Sequence, residues 1–215
     1  MNRNIKGFGI IILFIFSTLS FSASALELKI PKLKKSGSGG ADLKDVKLKF
    51  TKIFFESALD YMEAQYHLLN ALEMNDEAGK TKKSIDFVKN DKKKEGKRLT
   101  NAFTTVSENS SAIEGALTKE KVISAEGKLH YAKALPYTIK GLLGTIQLPP
   151  EAKNLIDTIK ADKMAVLKMG DFLKVLPKIP SYVQSVTTVS KLIVTGAKSR
   201  GVEGADDAND QLGDL

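Results

Sequence analysis

The sequence predicts an all-α fold: an antiparallel bundle of four to five long helices, with a disordered basic N-terminal linker and an acidic C-terminal tail. Three observations carry that expectation. Every long segment repeats its apolar residues with a period near 3.5 or 3.6, and none alternates as a half-buried strand does. Hydrophobic residues make up 42% of the 215-residue chain, enough for a packed core. Cysteine is absent, so there is no disulfide framework, thiolate metal site or cysteine nucleophile, and the fold must hold by packing.

The elements follow in chain order. Arg3 and Lys6 precede an apolar run over residues 8–16 and a small-residue stretch ending Ala23-Ser24-Ala25, an A-x-A pattern. Residues 1–25 therefore read as a secretory signal peptide of bacterial type, cut after Ala25; the run is short for a membrane span. Residues 26–41 carry Lys29, Lys32, Lys34 and Lys35, contain Pro31 and end in Ser36-Gly37-Ser38-Gly39-Gly40, the composition of a flexible linker.

Residues 42–200 are expected to form the bundle domain. Asp42 has the form of an N-cap. Behind it one apolar stripe reads Phe50, Phe54, Ala58, Tyr61, Leu68, Leu72, with Gln65 its one polar step, and a second reads Phe55, Leu59, Met62, Tyr66, Leu69. This first helix, of about 30 residues and ~45 Å, should be the best buried. Gly79 lies in a break or bend, and residues 80–98 are basic and weakly apolar. A heptad follows, Leu99, Phe103, Val106, Ser110, Ile113, Leu117, again with one polar step.

Thr118 or Ser124 is placed to cap the next helix, whose core stripe is expected to be Leu129, Ala132, Leu135, Ile139, Leu143 and Ile146, with a kink from Pro136. Pro149-Pro150 opens a further helix in which Ala152, Leu155, Ile159, Val166, Met169, Leu173 and Leu176 keep register, with only Asp162 out of place. Pro177 and Pro180 stop it. The last helix, residues 181–198, carries Tyr182, Val186, Val189 and Ile193, and Gly196 and Gly201 finish it. Residues 201–215 hold Glu203, Asp206, Asp207, Asp210 and Asp214 with no basic residue, and are expected to be a disordered acidic tail. The net charge of +8 is thus a basic body joined to an acidic end.

Three groups of residues are candidates for function. His67 and His130 are the only histidines, and each sits in the same spacing: Glu63, His67, Ala71, Leu72 and Glu126, His130, Ala134, Leu135. Carboxylate-bridged di-metal bundles space Glu and His three apart, not four. His67 aligns with Glu56, Asp60 and Glu63, and His130 with Glu126, Lys133 and Tyr137, both away from the assigned apolar stripes. They are therefore read as water-facing i,i+4 pairs, with no metal or other cofactor implied.

The second group is the basic stretch. Lys82, Lys83, Lys92, Lys93, Lys94, Lys97 and Arg98 are the candidate contacts for an anionic surface. Only Arg3, Arg98 and Arg200 among the 33 basic residues are arginine, and no aromatic platform interleaves the lysines, which argues against specific nucleic-acid binding. Third, Gly141 and Gly144 lie among apolar residues and permit close helix approach; tight packing is the preferred reading over membrane insertion.

Motifs for nucleophilic, metal-dependent or phosphate-binding catalysis are missing. The expected function is that of an exported, non-enzymatic binding or interaction module, periplasmic or extracellular, with an unknown protein or an anionic cell-surface component as partner. The alternative is an amphitropic protein that docks on anionic lipid through its lysines. A weaker third reading is a small-ligand carrier with a cavity near Pro136.

Overall fold

The computed structural model describes residues 42–90, 95–119, 122–162 and 164–214. The expected signal peptide and linker, and Lys92, Lys93 and Lys94, lie outside the described residues. All described residues belong to one compact unit, Gly39–Leu215. They are helical with no strand among them: α1 Leu43–Ala71, α2 Asn75–Asn90, α3 Glu95–Leu117, α4 Ala125–Thr145, α5 Leu148–Ala161, α6 Ala165–Met169, α7 Phe172–Val175, α8 Ile179–Ser199 and α9 Ala205–Gly213. No described helix is long and apolar enough to cross a membrane.

Local chemistry sets the ends of these helices. The Asp42 carboxylate accepts from Lys44 N at 3.0 Å and caps α1. Ser124, not Thr118, caps α4, accepting from Gly127 N at 3.1 Å. Pro149 and Pro150 fall in the first turn of α5, where a missing N–H costs nothing. Pro136 lies inside α4 on its exposed side, and the helix continues through it.

α1 is the organising helix. It runs antiparallel to α4, because Gly141 meets Tyr61 while Gly144 meets Ser57 and Gly127 meets the Ala71 carbonyl. It runs parallel to α3, because Lys47 pairs with Glu95 and Gln65 bonds to Val106 and Ser110, and parallel to α8, because Phe54 meets Tyr182 and Tyr61 bonds to Val186 and Ser190. α2 returns antiparallel to α3 through Thr81–Asn109 and Thr105–Ser84 bonds. α5 carries on in the direction of α4, tied to α1 by Lys49–Glu151 at 2.7 Å.

The core is two apolar clusters with a polar layer between them. One gathers Phe50, Phe54, Tyr61, Leu99, Val106, Leu155, Phe172 and Val186, and the other Leu68, Ile113, Tyr131, Leu135, Val189 and Ile193. At the border, Gln65 Nε2 donates to Val106 O at 2.9 Å and to Ser110 Oγ at 3.1 Å. Asn109 Nδ2 donates to Gln65 Oε1 at 3.2 Å and to Thr81 Oγ1 at 2.8 Å. Ser190 donates to the Tyr61 hydroxyl, which donates to Val186 O, both at 3.3 Å. Each buried polar side chain of this layer is partnered, which removes the penalty of burying it.

Four sequence expectations are corrected. The core face of α4 is Gly127, Tyr131, Ala134, Thr138, Gly141 and Thr145, joined by Leu135, Ile139 and Leu142; Leu129, Leu143 and Ile146 are 63%, 40% and 39% exposed. Small residues outrank large ones there because α1 approaches too closely for bulk. The helix expected to run through Leu176 breaks after Ala161, where Asp162 Oδ1 accepts from Met164 N at 2.9 Å and forms a turn. Gly170, at φ 45°, then separates α6 from α7.

The break expected around Gly79 falls earlier, at residues 72–74, and Gly79 lies within α2, which buries Ala78, Thr81, Ile85 and Val88. The expected acidic tail is also helical. Gly204, at φ 79°, precedes α9, whose first-turn Asp206 and Asp207 favour the positive end of the helix dipole. Ala205 and Ala208 are buried in the second cluster.

Candidate functional site

The two histidines meet. α1 and α4 run side by side, and their flanks bring the rings of His67 and His130 to a centroid separation of 5.8 Å at 37°. His67 also stacks on Tyr137 at 6.1 Å and 24°, and lies 5.3 Å from Tyr66. Both histidines are partly buried, so their expected water-facing placement is corrected. The error follows from the misassigned α4 face: with Tyr131 and Ala134 buried, the neighbouring position 130 becomes the rim of the α1 contact.

The electrostatics of the pair are unusual for a surface. Both Nδ1 atoms are shielded from solvent and have no hydrogen-bond partner. Burial lowers the pKa of His67, His130 lowers it further, and Glu63 opposes them from one turn earlier. Glu63 is itself held by Lys89 of α2 at 2.7 Å. Lys82 stands 5.8 Å over the Tyr66 ring. Among the described residues no third His, Asp or Glu joins the pair to make a closed metal-binding group.

The lysine candidates divide by structure. Lys82 and Lys83 on α2 and Lys97 on α3 are exposed. Arg98 is partly buried: its Nε donates to Val88 O at 2.6 Å and its guanidinium lies 4.3 Å over the Phe55 ring. It ties the start of α3 to the last turn of α2 and to α1, as planar Arg does well. The start of α3 also faces α7, since a β-carbon at Gly96 would lie 3.1 Å from Asp171 Oδ2.

That end of the bundle carries a feature that periodicity hid. Met164, Val166 and Leu167 are 59%, 45% and 76% exposed within one turn, in a segment of the chain that also carries the exposed Lys160, Lys168, Lys174 and Lys178. The register assigned to an unbroken helix placed Val166 and Leu173 in the core. The adjacent groove between α1 and α5, of about 720 Å³, is lined by Leu43, Lys47, Asp157 and Met169. Gly141, buried, and Gly144, partly buried, are close contacts of the α1–α4 seam, in accord with the packing reading.

Comparison of the chain with models of known families, with curated proteins and with solved structures returns no match.

Proposed function

We propose that the chain is an exported, non-enzymatic helical bundle that acts through its surface as a binding or interaction module. The observation that carries this reading is the exposed apolar turn of Met164, Val166 and Leu167, set on a body whose buried polar layer is hydrogen-bonded. Single exposed apolar residues are ordinary, but grouped ones mark contact surfaces. Export rests on the sequence of residues 1–25, and the partner is a protein or an anionic cell-surface component.

The test is crosslinking and recovery from cells and medium separately, with the wild-type chain and Leu167→Asp in parallel. A partner lost from the variant, while its helicity and melting temperature are unchanged, supports the reading. An identical set of crosslinks from both chains overturns the assignment of this turn.

A second reading has its own observation. Lys160, Lys168, Lys174 and Lys178 are exposed in the segment that carries the apolar turn, and the start of α3 meets Asp171 of the same segment, an arrangement suited to anionic lipid with apolar side chains entering the headgroup layer. Flotation with liposomes separates the two, because lipid docking requires association that depends on anionic lipid and weakens with salt.

A further inference from the structure

We propose that His67 and His130 form an open two-imidazole site for a borderline divalent transition-metal ion, with Cu²⁺ held most tightly. The chain has two histidines, on helices far apart in sequence, and the fold puts them in ring contact on the rim of the α1–α4 seam. Neither Nδ1 has a hydrogen-bond partner, and both Nδ1 atoms are turned away from solvent. The solvent side of the pair is therefore left to the Nε2 atoms.

Geometry permits joint ligation. With a metal–nitrogen bond of about 2.0 Å, the centroids of two imidazoles on one metal lie about 4.5 to 6.3 Å apart, from cis to trans arrangement. The observed 5.8 Å falls inside that span, so the spacing of the two rings is compatible with joint ligation. Tyr137, stacked on His67, and Tyr66 wall the site on its protein side.

The chemistry selects the metal. Imidazole nitrogen suits Cu²⁺, Ni²⁺ and Zn²⁺ rather than Mg²⁺ or Ca²⁺, and for a fixed nitrogen set Cu²⁺ binds most strongly. No third His, Asp or Glu completes the set among the described residues, and the nearest carboxylate along α1, that of Glu63, is paired with Lys89. The remaining positions are therefore open to water or to an external ligand, as in an exchangeable rather than a structural site.

The full chain, purified without a histidine tag, is titrated with Cu²⁺ in the presence of glycine as a competing chelator. Binding is followed by calorimetry and by electron paramagnetic resonance. The expected result is one Cu²⁺ per chain with two equatorial imidazole nitrogens, and weaker uptake of Ni²⁺ and Zn²⁺. His67→Gln and His130→Gln should each lower Cu²⁺ affinity about a hundredfold, since each removes the chelate partner of the other. Circular dichroism of both variants confirms that they fold. Affinity unchanged in either folded variant, a spectrum with a single imidazole nitrogen, or no uptake above that of the double variant overturns the proposal.

Discussion

Replacing Gly141 by alanine tests the packing of α1 on α4 directly. A β-carbon at position 141 would lie 2.8 Å from both the backbone nitrogen and Cβ of Tyr61 and 2.9 Å from its Cα. Carbon atoms in good contact sit about 3.5–4.0 Å apart, so the helices must separate by roughly 1 Å at that level. The obstacle is backbone, which cannot rotate away, and Gly144 against Ser57 lies on the same seam one turn further along. Overpacking of this kind costs about 1–3 kcal/mol, whereas alanine gains about 1 kcal/mol over glycine in helix propensity. With the strain at the upper end of its range, the net loss is about 2 kcal/mol, a fall in Tm of about 4–8 °C for a chain of this size. Gly115→Ala on α3 is the control, because nothing lies within 4 Å of its β-carbon. It should gain about 0.5–1 kcal/mol from propensity alone. Thermal melts followed by far-ultraviolet circular dichroism read both. If Gly141→Ala melts at or above the wild-type temperature while Gly115→Ala behaves as stated, the close-approach argument is wrong.

Three further outcomes follow from the core and the histidine pair. Gln65→Leu keeps the volume but leaves Ser110 Oγ without its donor and removes an acceptor of Asn109, and should cost about 1–3 kcal/mol in urea unfolding. Leu142→Ala should lose about 2–5 kcal/mol at a site 1% exposed, whereas Leu129→Ala, at 63% exposed, should stay within about 0.5 kcal/mol; equal losses would restore the face that periodicity favours. For His67, whose folded pKa is lowered, the unfolded chain binds the proton more readily, so its contribution is complete above the ordinary histidine value of about 6.5 and is lost as pH falls through the folded value. Melting temperature should therefore drop on acidification below about pH 6.5, and His67→Gln should flatten that slope; a slope unchanged in the variant contradicts the assignment.

Periodicity located helices well where one face alone was apolar, and failed where size mattered more than polarity. α1 runs from the Asp42 cap through both of its stripes as read, and the stripe of α8 is buried at Tyr182, Val186, Val189 and Ile193. On α4 the same rule favoured Leu129, Leu143 and Ile146 over Gly127, Ala134, Thr138 and Gly141, because a hydropathy pattern scores glycine and threonine as weak. Contact between two backbones reverses that ranking. Asp162 was legible as one misplaced residue in a long register, but not as the side chain that turns the chain. The two polar steps, Gln65 and Ser110, were visible singly on their own helices. Only the parallel course of α1 and α3 shows that they answer each other at 3.1 Å.

The repeated spacing around the histidines gains its meaning from direction. Glu63, His67 and Ala71 on α1 match Glu126, His130 and Ala134 on α4, and the two helices run antiparallel. In such a pair only the central member of the pattern can meet its counterpart; members on either side are carried apart along the seam. Ala71 accordingly approaches Gly127, near the start of α4, while Glu63 and Glu126 are displaced in opposite directions from the imidazoles. Parallel helices with the same residues would have placed both carboxylates on one side of the pair, where they could close a four-ligand site. The antiparallel register that Gly141 and Gly144 permit thus does two things at once: it brings the imidazoles together, and it withholds the carboxylates. Any function that resides in this pair must accordingly work with two nitrogens and open coordination, and shifting the register, rather than adding acidic residues on the same turn, is what would convert it into a closed site.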